Sequence, residues 1–223
     1  MYRLVKRFFD ILFSTICILF LSPILIPVLI GLKLTGEGYI FYKQQRVGYH
    51  NQIFSILKFA TMLKDSPNMP GGYLTTLKDP RITPMGGFLR KSKINELPQL
   101  FNIFLGHMSF VGPRPVMPVS FEAYPNDVQK VIYKVKPGLS GIGSIVFRDE
   151  ETIITMKKNQ GEDVALFYTD KIYPFKGKLE LWYQNNQSFF VDVKIIIATI
   201  LVVLKPNLDV MELFFPEIPK RNF

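Results

Sequence analysis

Residues 11–32 read ILFSTICILFLSPILIPVLIGL and carry no charged side chain. As an α-helix rising about 1.5 Å per residue, the run is roughly 33 Å long, enough to cross the hydrocarbon core of a bilayer. It is longer than the apolar part of a signal peptide, and no small-residue cleavage site follows it. Hydropathy alone is compatible with a single-pass anchor or with a helix that enters the bilayer and returns. Two features favour the second. Ser22 and Pro23 stand mid-run and Pro27 follows. A mid-helix proline removes one backbone hydrogen bond and crowds the carbonyl four residues earlier, so the helix kinks. A neighbouring serine hydroxyl satisfies a freed carbonyl inside lipid. Charge is the second feature: Arg3, Lys6 and Arg7 precede the run, and Lys33, Lys43 and Arg46 follow it. Positive residues mark the cytoplasmic side, so positive flanks at both ends place both ends there. The expectation is a re-entrant membrane helix over residues 1–34, broken at Ser22 and Pro23, and one cytoplasmic domain over residues 35–223.

The composition agrees with a membrane protein. Of 223 residues, 48% are hydrophobic and only 20% charged, with 20 phenylalanines, a balance rare in soluble domains. The net charge of +9 points to anionic partners: nucleic acid, an acidic membrane face or phosphorylated substrates. No nucleic-acid fold signature is present, and the aromatics are not regularly interleaved with basic residues, which sets nucleic acid aside. Cys17 is the only cysteine, so no intrachain disulfide can form. One cysteine with His50 and His107 does not make a zinc site.

After residue 34 the chain reads as a small α-rich α/β domain. Residues 35–50 suggest a strand pair or a strand and loop, and residues 53–62 another strand. Residues 65–72 are a Pro/Gly/Asn-rich loop. Residues 88–104 carry Ile94, Leu97, Leu100, Phe101 and Phe104 on one face, with Pro98 implying a break and a restart near Asn95. Residues 121–135 are a second helical region, 136–144 a glycine-bearing loop, and 153–172 mixed and helical. Residues 188–204 are strongly apolar but interrupted by Asp192 and Lys194. They read as an amphipathic helix lying on the membrane face, or as a buried core helix.

Three short runs carry candidate chemistry. One is Asp79-Pro80-Arg81-Ile82-Thr83. In Val111-Gly112-Pro113-Arg114-Pro115, two prolines stiffen the backbone around Arg114, whose planar guanidinium suits bidentate contact with phosphate. Lys58, Arg90 and Lys91 add positive charge. In Asn95-Glu96-Leu97-Pro98-Gln99-Leu100, Asn95 suits an N-cap and Pro98 a first helical turn, so a plain helix start is one reading. Glu96 at a helix N-terminus is a stabilised carboxylate, able to serve as a base or a magnesium ligand.

These runs resemble the small monotopic phosphoglycosyl transferases, the bacterial sugar transferase superfamily, over nearly the whole chain. The family's basic, aromatic opening is matched by Lys6-Arg7-Phe8-Phe9-Asp10, and its Ser-Pro helix break by Ser22-Pro23. Its Lys-Phe-Arg-Thr-Met run is matched by residues 58–62, its DPRIT run by 79–83 and its Asp-Glu-Leu-Pro-Gln run by 95–99. The run ending Val-Gly-Pro-Arg-Pro matches 108–115, and the Pro-Gly-x-(Ser/Thr)-Gly run matches 137–141. The resemblance implies an α/β domain on the inner membrane that contacts membrane lipids through amphipathic helices. It implies transfer of a sugar phosphate from a nucleotide diphosphate sugar, usually a UDP-sugar, to polyprenyl phosphate. UMP leaves, Mg2+ assists, and an aspartate forms a covalent phosphosugar intermediate. By matching position, Glu96 is the second member of the catalytic dyad and a metal ligand. Arg114 contacts phosphate, Lys58 and Arg90 are supporting cations, and Arg81 and Gln99 are further substrate-binding candidates.

The chain departs from the family at three places. Asn95 stands where the family has its nucleophilic aspartate, Ala60 where it has an arginine, and His107 where an acidic residue is usual. An amide is neutral with a delocalised nitrogen lone pair and cannot replace a carboxylate as nucleophile. Three accounts follow. Glu96 acts instead, as nucleophile or as base for direct attack by polyprenyl phosphate. A carboxylate of the run Asp149-Glu150-Glu151 takes over, although such runs are commonly solvated. Or the chain is catalytically silent and serves as a membrane-bound binding or scaffold protein. Retention of the phosphate-binding runs favours the first.

Overall fold

In the computed structural model, which describes residues 2–70, 75 and 79–223, α1 (Tyr2–Leu34) is a single helix that continues through Pro23 and Pro27. Pro23 has no N–H and leaves the carbonyl of Leu19, four residues earlier, without its helical donor. The Ser22 hydroxyl donates to that carbonyl at 2.8 Å. Towards its N-terminus, α1 is tied to the domain by charge. Lys6 pairs with Asp192. Arg7 donates to the carbonyls of Ile103 and Phe104 at 2.6 and 2.7 Å. The Asp10 carboxylate accepts from the Ser109 hydroxyl and the Phe110 N–H. At its far end, Val28 and Leu32 pack against Phe59 and Leu89. Both ends of α1 therefore meet the same domain. The outer face stays bare, with Leu4, Phe8, Leu19 and Phe20 all more than 60% exposed.

The strand expected within residues 35–50 is β1 (Phe41–Val47), and its antiparallel partner is β2 (Ile53–Phe59), with Tyr42 opposite Lys58. His50 and Asn51 turn the hairpin at positive φ. β2 ends three residues earlier than expected: Ala60 bonds to the Ile40 carbonyl, and Met62 forms an isolated bridge with Ile82. Of the expected loop at 65–72, residues 71 and 72 lie outside the described residues. Then come α2 (Pro84–Lys91), capped by the Thr83 hydroxyl, a 3-10 turn (Ile94–Glu96) and α3 (Gln99–Leu105). The break expected in this region is made by Lys93 at φ 60, and Gly106 at φ 87 ends α3.

β3 (Ser109–Val111) pairs in parallel with β4 (Gly138–Ser140). Between them the helical region expected at 121–135 is two short helices, α4 (Pro118–Glu122) and α5 (Asn126–Gln129), interrupted by Pro125. α6 (Ile142–Val146) and α7 (Glu150–Asn159) follow. After Gly161 come α8 (Val164–Phe167), a π turn (Tyr168–Ile172) and α9 (Tyr173–Asn186). α9 has no counterpart in the sequence reading, because its buried residues Gly177, Leu179, Glu180 and Tyr183 do not form a plain apolar stripe. α10 (Phe189–Leu204) and α11 (Val210–Phe214) complete the chain.

The main core joins Val111, Ile142, Ile145, Leu179, Tyr183 and Ile195. α10 buries only a narrow stripe of Asp192, Ile195 and Ala198 and leaves Phe190, Ile200, Val203 and Leu204 exposed. Its outward face is thus apolar rather than polar, unlike that of an ordinary core helix. Asp192 interrupts the apolar run for a structural reason: Tyr2, Lys6 and Tyr183 all donate to its carboxylate, tying α10 to α1.

Candidate active site

The two glycine-bearing runs meet backbone to backbone. A Cβ on Gly112 would stand 2.3 Å from the Lys136 carbonyl oxygen, and one on Gly138 would stand 2.1 Å from the Gly112 nitrogen. Only glycine permits this approach, and it fixes the turn that carries Arg114. That turn is held at several further points. The Tyr133 hydroxyl donates to the Arg114 carbonyl at 2.8 Å and accepts from the Val116 N–H at 3.0 Å. Arg46 donates to the Pro115 carbonyl, and the Val47 N–H to the Val116 carbonyl. Arg114 therefore projects from a braced backbone.

The Arg114 guanidinium donates to Glu96 at 3.0 Å. Burial acts to raise the Glu96 carboxyl. The charges of Arg114 and Lys58 and the Arg114 hydrogen bond outweigh it and hold the carboxyl well below the ordinary carboxylate range. Lys58, from β2, is half-buried. Desolvation pulls its ammonium down to about 7, Glu96 opposes that, and Arg114, Arg46 and Arg90 reinforce it. Arg46 is pulled down to about 10 by burial and by the Arg114 charge. The 3-10 turn, β2, the end of β1 and the proline-flanked loop thus gather a cluster in which cations outnumber carboxylates. Such an excess in a partly desolvated place suits a diphosphate.

Arg90 lies in the same field and pairs with Glu151 at 2.5 Å. Arg81 is engaged elsewhere. Its guanidinium is buried against Asp79, at 2.8 and 2.6 Å, so this pair shapes the loop beside Arg90. Asn95 and Gln99 are 7% and 2% exposed, and Asn95 Oδ1 and Gln99 Nε2 have no hydrogen-bond partner. The acidic run is not merely a solvated face: Asp149 pairs with Arg221, Glu150 with Lys176, and Glu151 with Arg90. Each of these carboxylates is already held by a cation. Ser22 and Pro23 lie in α1, outside the cation cluster.

Three contributors escaped the sequence reading. Arg46 counted there only as a flanking charge, although it shares a strand face with Gln44, to which it bonds. Tyr133 has no motif around it. Glu180 lies on α9, 3% exposed, with its carboxyl facing the Arg114 backbone N–H.

Among the described residues no group of three or more His, Cys, Asp or Glu side chains converges to hold a metal ion. Magnesium, however, is commonly held by one or two protein oxygens together with substrate phosphates and water. Glu96 supplies a carboxylate of that kind, and Asn95 Oδ1, on the neighbouring residue, has no hydrogen-bond partner.

The family model described as bacterial sugar transferase matches residues 1–206. The exopolysaccharide production protein ExoY of Rhizobium meliloti is 33% identical, over 87% of this chain and 83% of its own length. The undecaprenyl-phosphate galactose phosphotransferase of Salmonella typhimurium is 33% identical, over 91% of this chain and 41% of its own. The UDP-glucose:undecaprenyl-phosphate glucose-1-phosphate transferase of Escherichia coli is 32% identical, over 89% of this chain and 40% of its own.

Proposed function

Because the chain belongs to the bacterial sugar transferase family, we propose that it transfers a sugar 1-phosphate from a UDP-sugar to polyprenyl phosphate, releasing UMP, in the first membrane step of a bacterial glycan. The observation that carries this reading is the Glu96–Arg114 pair beside Lys58, Arg46 and Arg90. Arg114, Lys58 and Arg90 bind and orient the diphosphate and take up charge as the bond between the two phosphates breaks. Glu96 is the carboxylate that remains where Asn95 replaces the family's aspartate. A phosphate acceptor is already ionised and hardly needs a base. Glu96 therefore acts as nucleophile. One of its oxygens bonds to the β-phosphorus, the bond to the bridging oxygen breaks, and UMP leaves with that electron pair. Attack by a polyprenyl phosphate oxygen then frees the carboxylate. Glu96 and Asn95 Oδ1 would hold magnesium, which would neutralise charge on the diphosphate. The test is mass spectrometry of the protein mixed with UDP-sugar without acceptor. A sugar-phosphate adduct on Glu96 is expected; UMP release that requires acceptor and leaves no adduct would replace it with direct displacement.

The membrane part of the reading is a re-entrant membrane segment over residues 1–34, with residues 35–223 on the cytoplasmic face of the inner membrane. Its support is the docking of both ends of α1 on one domain, together with the bare apolar faces of α1 and α10. These faces meet where the Phe9 and Phe189 rings lie 5.8 Å apart, and a surface of this kind calls for lipid.

A further inference from the structure

One buried carboxyl takes no part in the steps above. Glu180 is 3% exposed, and its Oε2 has no hydrogen-bond partner. Its Oε1 fills the space left by an absent side chain: a Cβ on Gly143 would stand 2.4 Å from it. The carboxyl also faces the backbone N–H of Arg114. Glu180 thus lies between α9, the start of α6 and the turn that carries the phosphate-binding guanidinium. Lys176, one turn earlier on α9, bonds to Glu150 at 2.6 Å.

We propose that Glu180 is a positioning residue: a neutral carboxylic acid that holds the Arg114 backbone where its guanidinium meets Glu96 and the donor's diphosphate. This rests on the transfer reaction proposed above. A carboxylate with one unpartnered oxygen in so dry a place is costly, so the proton stays on. Burial pushes the acid up to about 8, against the opposing charges of Lys176 and Arg114. Tyr124 and Tyr133 also face it, and both are neutral. From α6 it meets Gly143, which brings no charge.

Two measurements on Glu180→Gln and Glu180→Ala decide the matter. Glutamine keeps the shape and neutrality, so kcat/KM at pH 7 should stay within about threefold of wild type, whereas alanine, which lets the turn shift, should lower it about 100-fold. The second readout is Tm against pH. From pH 4.5 to about 8 the unfolded chain loses a proton that folded Glu180 keeps, so wild type loses stability as pH rises through this window. The Gln variant should lack that part of the decline, so its Tm relative to wild type should climb between pH 5 and 8. Two results would overturn the proposal: a Gln variant as inactive as the Ala variant, or one whose Tm follows the wild-type pH curve. If wild type releases no nucleotide from any donor, the transfer reading fails, while the Tm comparison still decides whether Glu180 is held neutral.

Discussion

The Ser22 hydroxyl lies 2.8 Å from the Leu19 carbonyl, the carbonyl that Pro23 deprives of its amide donor. The local cost of the proline is thereby offset in a segment whose outer face meets no protein. Both ends of α1 should lie on the cytoplasmic side. In a Cys17→Ser background, Arg3→Cys and Leu34→Cys should both react with a membrane-impermeant reagent only when the cytoplasmic face is accessible. Labelling of residue 3 from the outer face would contradict the re-entrant topology. Pro23→Leu should move part of the population towards a span.

Arg114→Ala should lower kcat/KM by about 30- to 1,000-fold, corresponding to about 2–4 kcal/mol for a guanidinium–phosphate contact in a partly desolvated site. Membrane association, read by sedimentation with vesicles, should be unchanged. Near-normal turnover would mean that Arg114 only shapes its loop.

Lys58 should give the free enzyme an alkaline limb. Its ammonium, pulled down to about 7, is present below that pH and lost as pH rises through it, removing one cation from the diphosphate site. The kcat/KM for the nucleotide sugar should fall accordingly. Lys58→Arg stays charged and should move the fall to higher pH, while Lys58→Met should lose about 10- to 100-fold below about pH 7 and approach wild type above it. An unchanged limb in Lys58→Arg would assign it to another group.

Much of this was legible in the sequence, for physical reasons that differ from residue to residue. A charge-free run advertises α1 by composition alone, and two prolines flanking Arg114 advertise a stiff loop. The opening Lys6-Arg7-Phe8-Phe9-Asp10 looked like membrane flank and family signature. The structure gives its charged residues separate tasks, on Asp192, on the last carbonyls of α3 and on β3. Long-range partnerships such as Lys6 with Asp192, 186 residues apart, leave no periodic trace. Glu180 was hidden for a related reason: a carboxylate in a polar-looking helix reads as solvated, and only the fold shows that it is buried beneath Arg114.

On the proposed reading that position 95 is where the family carries its nucleophilic aspartate, Asn95→Asp should preserve or raise activity. Two adjacent carboxylates then repel, and Ala60 leaves one cation missing. Ala60 is only 6% exposed, so an arginine there has to thread outward. The double change Asn95→Asp with Ala60→Arg should release UMP faster than either single change and faster than the product of the two single effects; a double variant that only matches that product would show that positions 60 and 95 are not coupled.

The most direct measurement is UMP release from a panel of UDP-sugars with a short polyprenyl phosphate, comparing the native protein with Glu96→Gln. The native protein should release UMP with at least one donor, and Glu96→Gln should abolish that release while still binding the donor. Binding without release by the native protein, or release that survives Glu96→Gln, would contradict the assignment of Glu96 as the working carboxylate.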